Sequence, residues 1–145
     1  MINIHILNKS SELPSLDEKE IHSICNFIMN ENNHEYLGIT LIITNDNKLR
    51  ELKKKYFHQD ILTDVIAFNL EESGDPIEGE IYISFDRVKE NAQQYMQDVI
   101  TELKRVIIHG CLHLIGFDDQ TLEEKKEMTR LENYYLNLST IKNQL

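Results

Sequence analysis

Ile2, Ile4 and Ile6 alternate with polar residues at the start of the chain. Successive side chains on a strand point to opposite faces, so this spacing predicts a first strand with one buried face. Ser15 and Glu18 stand in a capping-box pattern, and Ile21, Ile24, Cys25 and Ile28 follow at helical spacing. They predict a first helix, ended by Asn32 and Asn33. Leu37, Ile39, Leu41 and Ile43 alternate again and predict a second strand. Asn45 or Asp46 caps the next helix, which has Leu49, Leu52 and Tyr56 on one face. Val65 to Phe68 reads as a third strand and Ile81 to Ser84 as a fourth, with the acidic stretch Glu71 to Glu78 as the turn between them. Phe85, Val88, Ala92 and Tyr95 mark a third helix. Asp98 caps a fourth, which runs to Ile115. Thr121 and Glu124 form another capping box, and Met128, Leu131, Tyr135 and Leu138 are the inner stripe of the last helix. The polar tail after Ser139 is expected to fray. The order βαβαββααα predicts one α+β domain over residues 1–145, a small mixed four-stranded sheet with about five helices packed on it.

The fourth helix departs from an ordinary amphipathic pattern. From Val106 to Ile115 it is apolar nearly all round, so it should be buried, yet it carries His109 and His113. Buried imidazoles are costly unless their ring nitrogens find partners. At i, i+4 both rings project from one face, and one tetrahedral metal ion can take a nitrogen from each. Gly116 permits the left-handed turn that ends the helix. The capping box at Thr121 then confines Asp118 and Asp119 to a tight loop that can carry a carboxylate back over the rings. His109, His113 and Asp119 are therefore the expected ligands of one divalent metal, zinc by donor type, with the fourth position open to water. Asp118 is the competing carboxylate. Cys111 lies about 200° round the helix from His109 and reads as a core thiol.

The spacing H-x3-H-x2-G-x2-D matches the metzincin ligand pattern with Asp in the third place. The metalloprotease base would follow the first histidine, where Gly110 stands, so the apparatus for peptide hydrolysis is incomplete.

Composition narrows the setting. The chain has 145 residues, 41% hydrophobic and 28% charged, as expected of one globular domain. The formal net charge of −10 argues against a surface coated in basic residues for generic nucleic-acid binding, though not against a local basic groove. Two distant cysteines without a CxxC pattern read as reduced, buried thiols. Neither a signal-peptide pattern nor an apolar run of about 20 residues is present, so a cytoplasmic protein is expected.

The segment His109 to Asp119, H-G-C-L-H-L-I-G-F-D-D, resembles the signature H-G-x-L-H-L-x-G-[YF]-D-H of the YbeY-type rRNA maturation factors, small bacterial metal-dependent endoribonucleases. Asp60 to Phe68 is similar to the family's D-x-P-T-[DN]-V-L-S-F block, Gly79-Glu80-Ile81 to its G-D-I strand, and Glu102-Leu103 to its E-L pair. The resemblance makes His109 and His113 the first two metal ligands and puts Asp119 in the place of the third, a histidine in the family. It implies a zinc-dependent endoribonuclease acting on single-stranded rRNA in rRNA maturation and ribosome quality control, with ribosomal particles as partners. The nucleophile is metal-bound water or the RNA 2′-hydroxyl, with no protein base assigned. Thr63, Asp64 and Ser84 are candidate cleft residues by their position in the similar blocks. The family's Tyr-Arg pair is Tyr56-Phe57 here, and Leu62 replaces its proline. Phosphate binding then draws on other cations, with Arg50, Lys53, Lys54 and Lys55 on the second helix and Lys104 and Arg105 on the fourth as candidates. Two other functions fit the residues. A metal-bearing ribosome-assembly or binding factor with little catalysis suits the acidic charge and Phe57. A hydrolase of peptides or other amides suits the ligand spacing, and Gly110 counts against it.

Overall fold

The computed structural model describes residues 2–13, 15–33, 36–70 and 77–144, with side chains for all of these except 36, 37, 77 and 139–144. The elements follow in the predicted order: β1 (Asn3–Asn8), α1 (Glu18–Glu31), β2 (Tyr36–Thr44), α2 (Asp46–Phe57), β3 (Val65–Asn69), β4 (Ile77–Ser84), α3 (Phe85–Gln94), α4 (Val99–Leu114) and α5 (Leu122–Gln144). The strands form one mixed sheet in the order β1-β2-β4-β3. β1, β2 and β4 run parallel, and β3 closes one edge antiparallel to β4.

The sheet separates two apolar layers because alternate residues leave it on opposite sides. Ile39, Leu41, Ile43, Val65, Ile81 and Ile83 face a large core shared with α1, α4 and α5. Ile66, with Phe68 and Tyr82 beside it, faces the other way and packs on Leu49 and Leu52 of α2. α4 is the central helix, touching the sheet, α1, α3 and α5. Its all-round apolar character is thereby explained: Leu103, Val106, Ile107, Ile108, Cys111 and Leu112 are all buried. Cys111 meets Cys25 of α1 with the sulfurs 3.7 Å apart, and both remain free thiols. The hydrogen bond with Cys25 and deep burial push the Cys111 thiol well above its ordinary pKa.

Four details differ from the sequence expectation. α1 is capped by Asp17, whose carboxylate accepts from the Glu20 backbone N–H, and not by Ser15. A charged acceptor two residues nearer the helix serves the exposed N–H groups better. β4 begins at Ile77, four residues before the predicted start. Tyr95, placed on the buried stripe of α3, is its C-cap and is 60% exposed, because Met96 takes a positive φ and ends the helix there. α5 continues to Gln144, through the tail expected to fray. Of the turn expected over Glu71 to Glu78, the last two residues belong to β4, and residues 71–76, like the side chain of Leu37, lie outside the described residues. No helix among the described residues is long and apolar enough to cross a membrane.

Candidate metal centre

α4 ends in a Schellman motif. Gly116 takes φ +102° and donates its N–H to the His113 carbonyl, while the Phe117 N–H reaches the Leu112 carbonyl at 3.0 Å. Asn69 Nδ2 donates to the Leu114 carbonyl and ties the end of β3 to this terminus. Five residues later Thr121 and Glu124 close a reciprocal capping box at the start of α5. The loop between these two fixed ends returns Asp119 to the face of α4 that carries the histidines. Asp118, its neighbour, is exposed.

The result is a converging donor set. His109 Nε2 and His113 Nε2 lie 2.9 Å apart, and Asp119 Oδ2 lies 3.2 Å from the first and 3.6 Å from the second. A tetrahedral zinc with bonds of about 2.0–2.1 Å separates its ligand atoms by about 3.3 Å. The spacing observed fits a single ion. The chemistry fits as well. His109 Nδ1 faces Glu132 Oε2 at 2.5 Å, which directs the Nδ1 proton to that carboxylate and leaves the Nε2 lone pair facing inward. His113 is hydrogen-bonded with the backbone of Phe117, and its Nε2 is the atom turned towards His109 and Asp119. Two lone pairs and a carboxylate oxygen aimed at one point repel one another unless a cation stands between them. His109, His113 and Asp119 form the one group of this kind among the described residues that could hold a metal ion.

The electrostatics of the histidines differ. Burial pushes His109 down, but the hydrogen bond to Glu132 and the charges of Glu132, Asp64 and Asp119 outweigh it and raise its pKa. His113 is lowered, by burial first and by His109 second, with Asp119, Phe117 and Asp118 opposing. Without a metal, a proton is therefore held first on His109, the ring surrounded by carboxylates.

Glu132 gave no separate signal in the sequence reading, yet it is the residue that orients His109. The clue was available: it stands four positions after Met128 on the inner stripe of α5, where a carboxylate is out of place. Arg105 Nη1 approaches Glu132 Oε1 at 3.4 Å, and Arg105 Nε lies 3.7 Å from Glu102 Oε1. Glu102 is buried, and that oxygen has no hydrogen-bond partner. Arg105 thus sits between two buried carboxylates behind the metal centre, in a cavity of about 330 Å³ beside His109.

A second cleft, of about 490 Å³, adjoins the first and shares Asp64, His109 and Asp119 with it. Lys53, Phe57, Thr63 and Asp64 line it together with His109, His113 and Asp119. The remaining residues singled out from the sequence lie elsewhere. Ser84 is fully buried as the N-cap of α3, its hydroxyl donating to Asp46 Oδ1 at 2.7 Å. Arg50 is bound to Asp60 on the exposed side of α2. Lys104 is paired with Glu20 at 2.5 Å. Gly110 faces the sheet. A Cβ there would lie 2.6 Å from Ile81 Cγ2 and 3.1 Å from Val65 Cγ2, so the position that carries the base in metalloproteases has no room for a side chain.

Comparison with known proteins agrees with this geometry. The family model described as Endoribonuclease YbeY matches residues 3–139. A curated Endoribonuclease YbeY of Amoebophilus asiaticus is 42% identical over 116 residues, covering 80% of this chain and 79% of the relative. One of Chloroherpeton thalassium is 41% identical over 121 residues, covering 83% and 85%. One of Bacillus licheniformis is 32% identical, covering 92% of each chain. Among solved structures, the solution structure of a Thermotoga maritima protein superposes with a TM-score of 0.61 at 26% identity, covering 97% of this chain and 91% of that one. With the match spanning nearly the whole fold and including the helix and loop that build the donor set, this chain belongs to the YbeY endoribonuclease family.

Proposed function

We propose that this chain is a zinc-dependent endoribonuclease that cuts single-stranded rRNA, working in the cytoplasm on rRNA and ribosomal particles during their maturation. The observation that carries this reading is the donor set itself: three inward-facing ligand atoms at the edge of an open cleft, in a chain of this family. A metal ion held there would supply Lewis-acid stabilisation of the charge that develops on the phosphodiester oxygens.

The chain's own residues do the rest. His109, fixed by Glu132, and His113 hold the ion from the helix side, and Asp119 holds it from the loop. Asp64 lines the cleft and acts electrostatically on His109, yet is not one of the ligands. With Oδ2 accepting a hydrogen bond from Asn91 Nδ2 at 3.3 Å, it is the cleft carboxylate we assign to orient an attacking hydroxyl, whether of water or of the ribose 2′ position, and to accept its proton. Peptide hydrolysis is disfavoured because the space beside Gly110 is filled by Ile81 and Val65.

The test is cleavage of a single-stranded rRNA fragment by purified protein loaded with zinc, against chelator-stripped protein and His109→Ala. Cleavage by the loaded protein alone supports the reading. Binding without cleavage by well-loaded protein would instead make the chain an assembly factor, and cleavage by the metal-free variant would refute the metal-dependent mechanism.

A further inference from the structure

α2 carries Arg50, Lys53, Lys54 and Lys55 close to the metal cleft, and the structure separates them sharply. Asp60 takes Arg50 through a short hydrogen bond and Lys54 at 3.5 Å. Lys55 sits 5.1 Å from the centroid of the Tyr56 ring, and neither of these residues lines the cleft. Lys53 does line it, and no carboxylate of the described residues lies within ion-pair distance of its ammonium. Its contact is aromatic: Nζ stands 4.4 Å from the ring centroid of Phe57, one helical turn further on.

Phe57 is held in turn. Its ring stacks on Phe68 with centroids 6.0 Å apart, and Phe68 makes edge contacts with Tyr56 and Tyr82. Even so, Phe57 is 42% exposed, at the rim of the cleft. The rest of the charged lining is acidic, namely Asp64, Asp118 and Asp119. A chain of net charge −10 binds a polyanion only through local uncompensated cations, and this cleft lining has one.

We propose that Lys53 and Phe57 together are the strand-binding element of the metal cleft. Lys53 takes a phosphate oxygen of single-stranded RNA. Phe57 holds the ammonium over the cleft in the free protein and presents its ring to a neighbouring base once the ammonium has moved to the phosphate. This rests on the reading of the cleft as an RNA site, and it assigns the cation and the stacking surface within it.

The experiment is equilibrium binding of a labelled, cleavage-resistant single-stranded oligoribonucleotide, 2′-O-methylated with phosphorothioate linkages, to the zinc-loaded protein across a salt series. The variants are Lys53→Ala, Lys53→Arg, Phe57→Leu and, as a control off the cleft, Lys55→Ala. Zinc content and melting temperature report that each variant is folded and loaded. Lys53→Ala should weaken binding about tenfold and lower the salt slope by about 0.7, the value for one phosphate contact on a single strand. Lys53→Arg should restore both, Phe57→Leu should weaken binding several-fold, and Lys55→Ala should leave binding unchanged. Wild-type protein that fails to bind would overturn the RNA reading itself. Wild-type binding matched by Lys53→Ala in affinity and slope would overturn this assignment alone.

Discussion

Glu132 Oε2 lies 2.5 Å from His109 Nδ1, on the far side of the ring from the nitrogen that faces His113 and Asp119. The contact joins α5 to α4 across 23 residues of sequence. It fixes both the tautomer and the rotation of the ring, because the Nδ1 proton has one buried acceptor to go to. Carboxylates in this position raise the basicity of a histidine ligand, and their loss lowers metal affinity by about 10–100-fold. Glu132→Ala should show a loss in that range with all three ligands intact. Glu132→Gln, which keeps a neutral acceptor, should fall between the two. Competition against a chromophoric zinc chelator measures it, and equal affinity in all three proteins would remove Glu132 from the site.

Asp119 and Asp118 are adjacent in sequence but not equivalent. Asp119 reaches both imidazoles, whereas Asp118 is exposed and outside the donor set. Protein purified without added metal or chelator should carry about one equivalent of zinc, as expected of a site with three protein ligands. Asp119→Ala should clearly reduce it, and Asp118→Ala should not. Elemental analysis decides. Full retention by Asp119→Ala would move the third ligand elsewhere, with Asp118 the first to examine.

The sequence held the element order and the helix-borne part of the site because both depend on local spacing. The period of two in β2 and the i, i+4 pair on α4 are set by backbone geometry, and Gly116 fixes where the ligand loop starts. What could not be read depends on contacts between distant elements. Ser84 sits in a block that resembles a cleft-forming one, yet its hydroxyl is committed to Asp46. Arg105 looked available for phosphate until α5 laid Glu132 against it. Arg50, Lys53 and Lys54 lie within about one turn of each other on α2, and only the fold shows that Asp60 takes two and leaves the third in the cleft.

Gly110 tests how tightly α4 is pressed on the sheet. An added methyl would meet Ile81 Cγ2 at 2.6 Å, closer than carbon atoms approach, and Ile81 is itself fully buried with little room to yield. Alanine gains about 1 kcal/mol of helix propensity over glycine. Overpacking of this kind costs about 1–3 kcal/mol or more. The clash should win, so Gly110→Ala should lower the melting temperature of the metal-free protein by several degrees. An unchanged or raised melting temperature would mean that the helix can lift from β4 at no cost.

Glu102 offers a pH-dependent test of the buried charges behind the site. It is 2% exposed, and its Oε1 has no hydrogen-bond partner. Burial raises its pKa above the ordinary value of 4.5, with Asp64 and Glu132 adding to the effect and Arg105 opposing it. A carboxyl that binds its proton more tightly in the folded than in the unfolded state makes its most favourable contribution at low pH, where both states are protonated. As pH rises from the unfolded value through the raised folded value, the unfolded chain ionises first and folding loses stability. Above the folded value the loss is complete and constant. Glutamine at this position has no proton to lose, so the melting temperature of Glu102→Gln relative to wild type should climb across that window and then level off. Chelator-treated protein, melted at intervals from about pH 4 to about pH 8, isolates the effect, because groups common to both proteins largely cancel in the difference. A difference that stays flat, or shrinks with rising pH, would show that Arg105 holds Glu102 ionised despite its burial, and the two would then be a paired salt bridge.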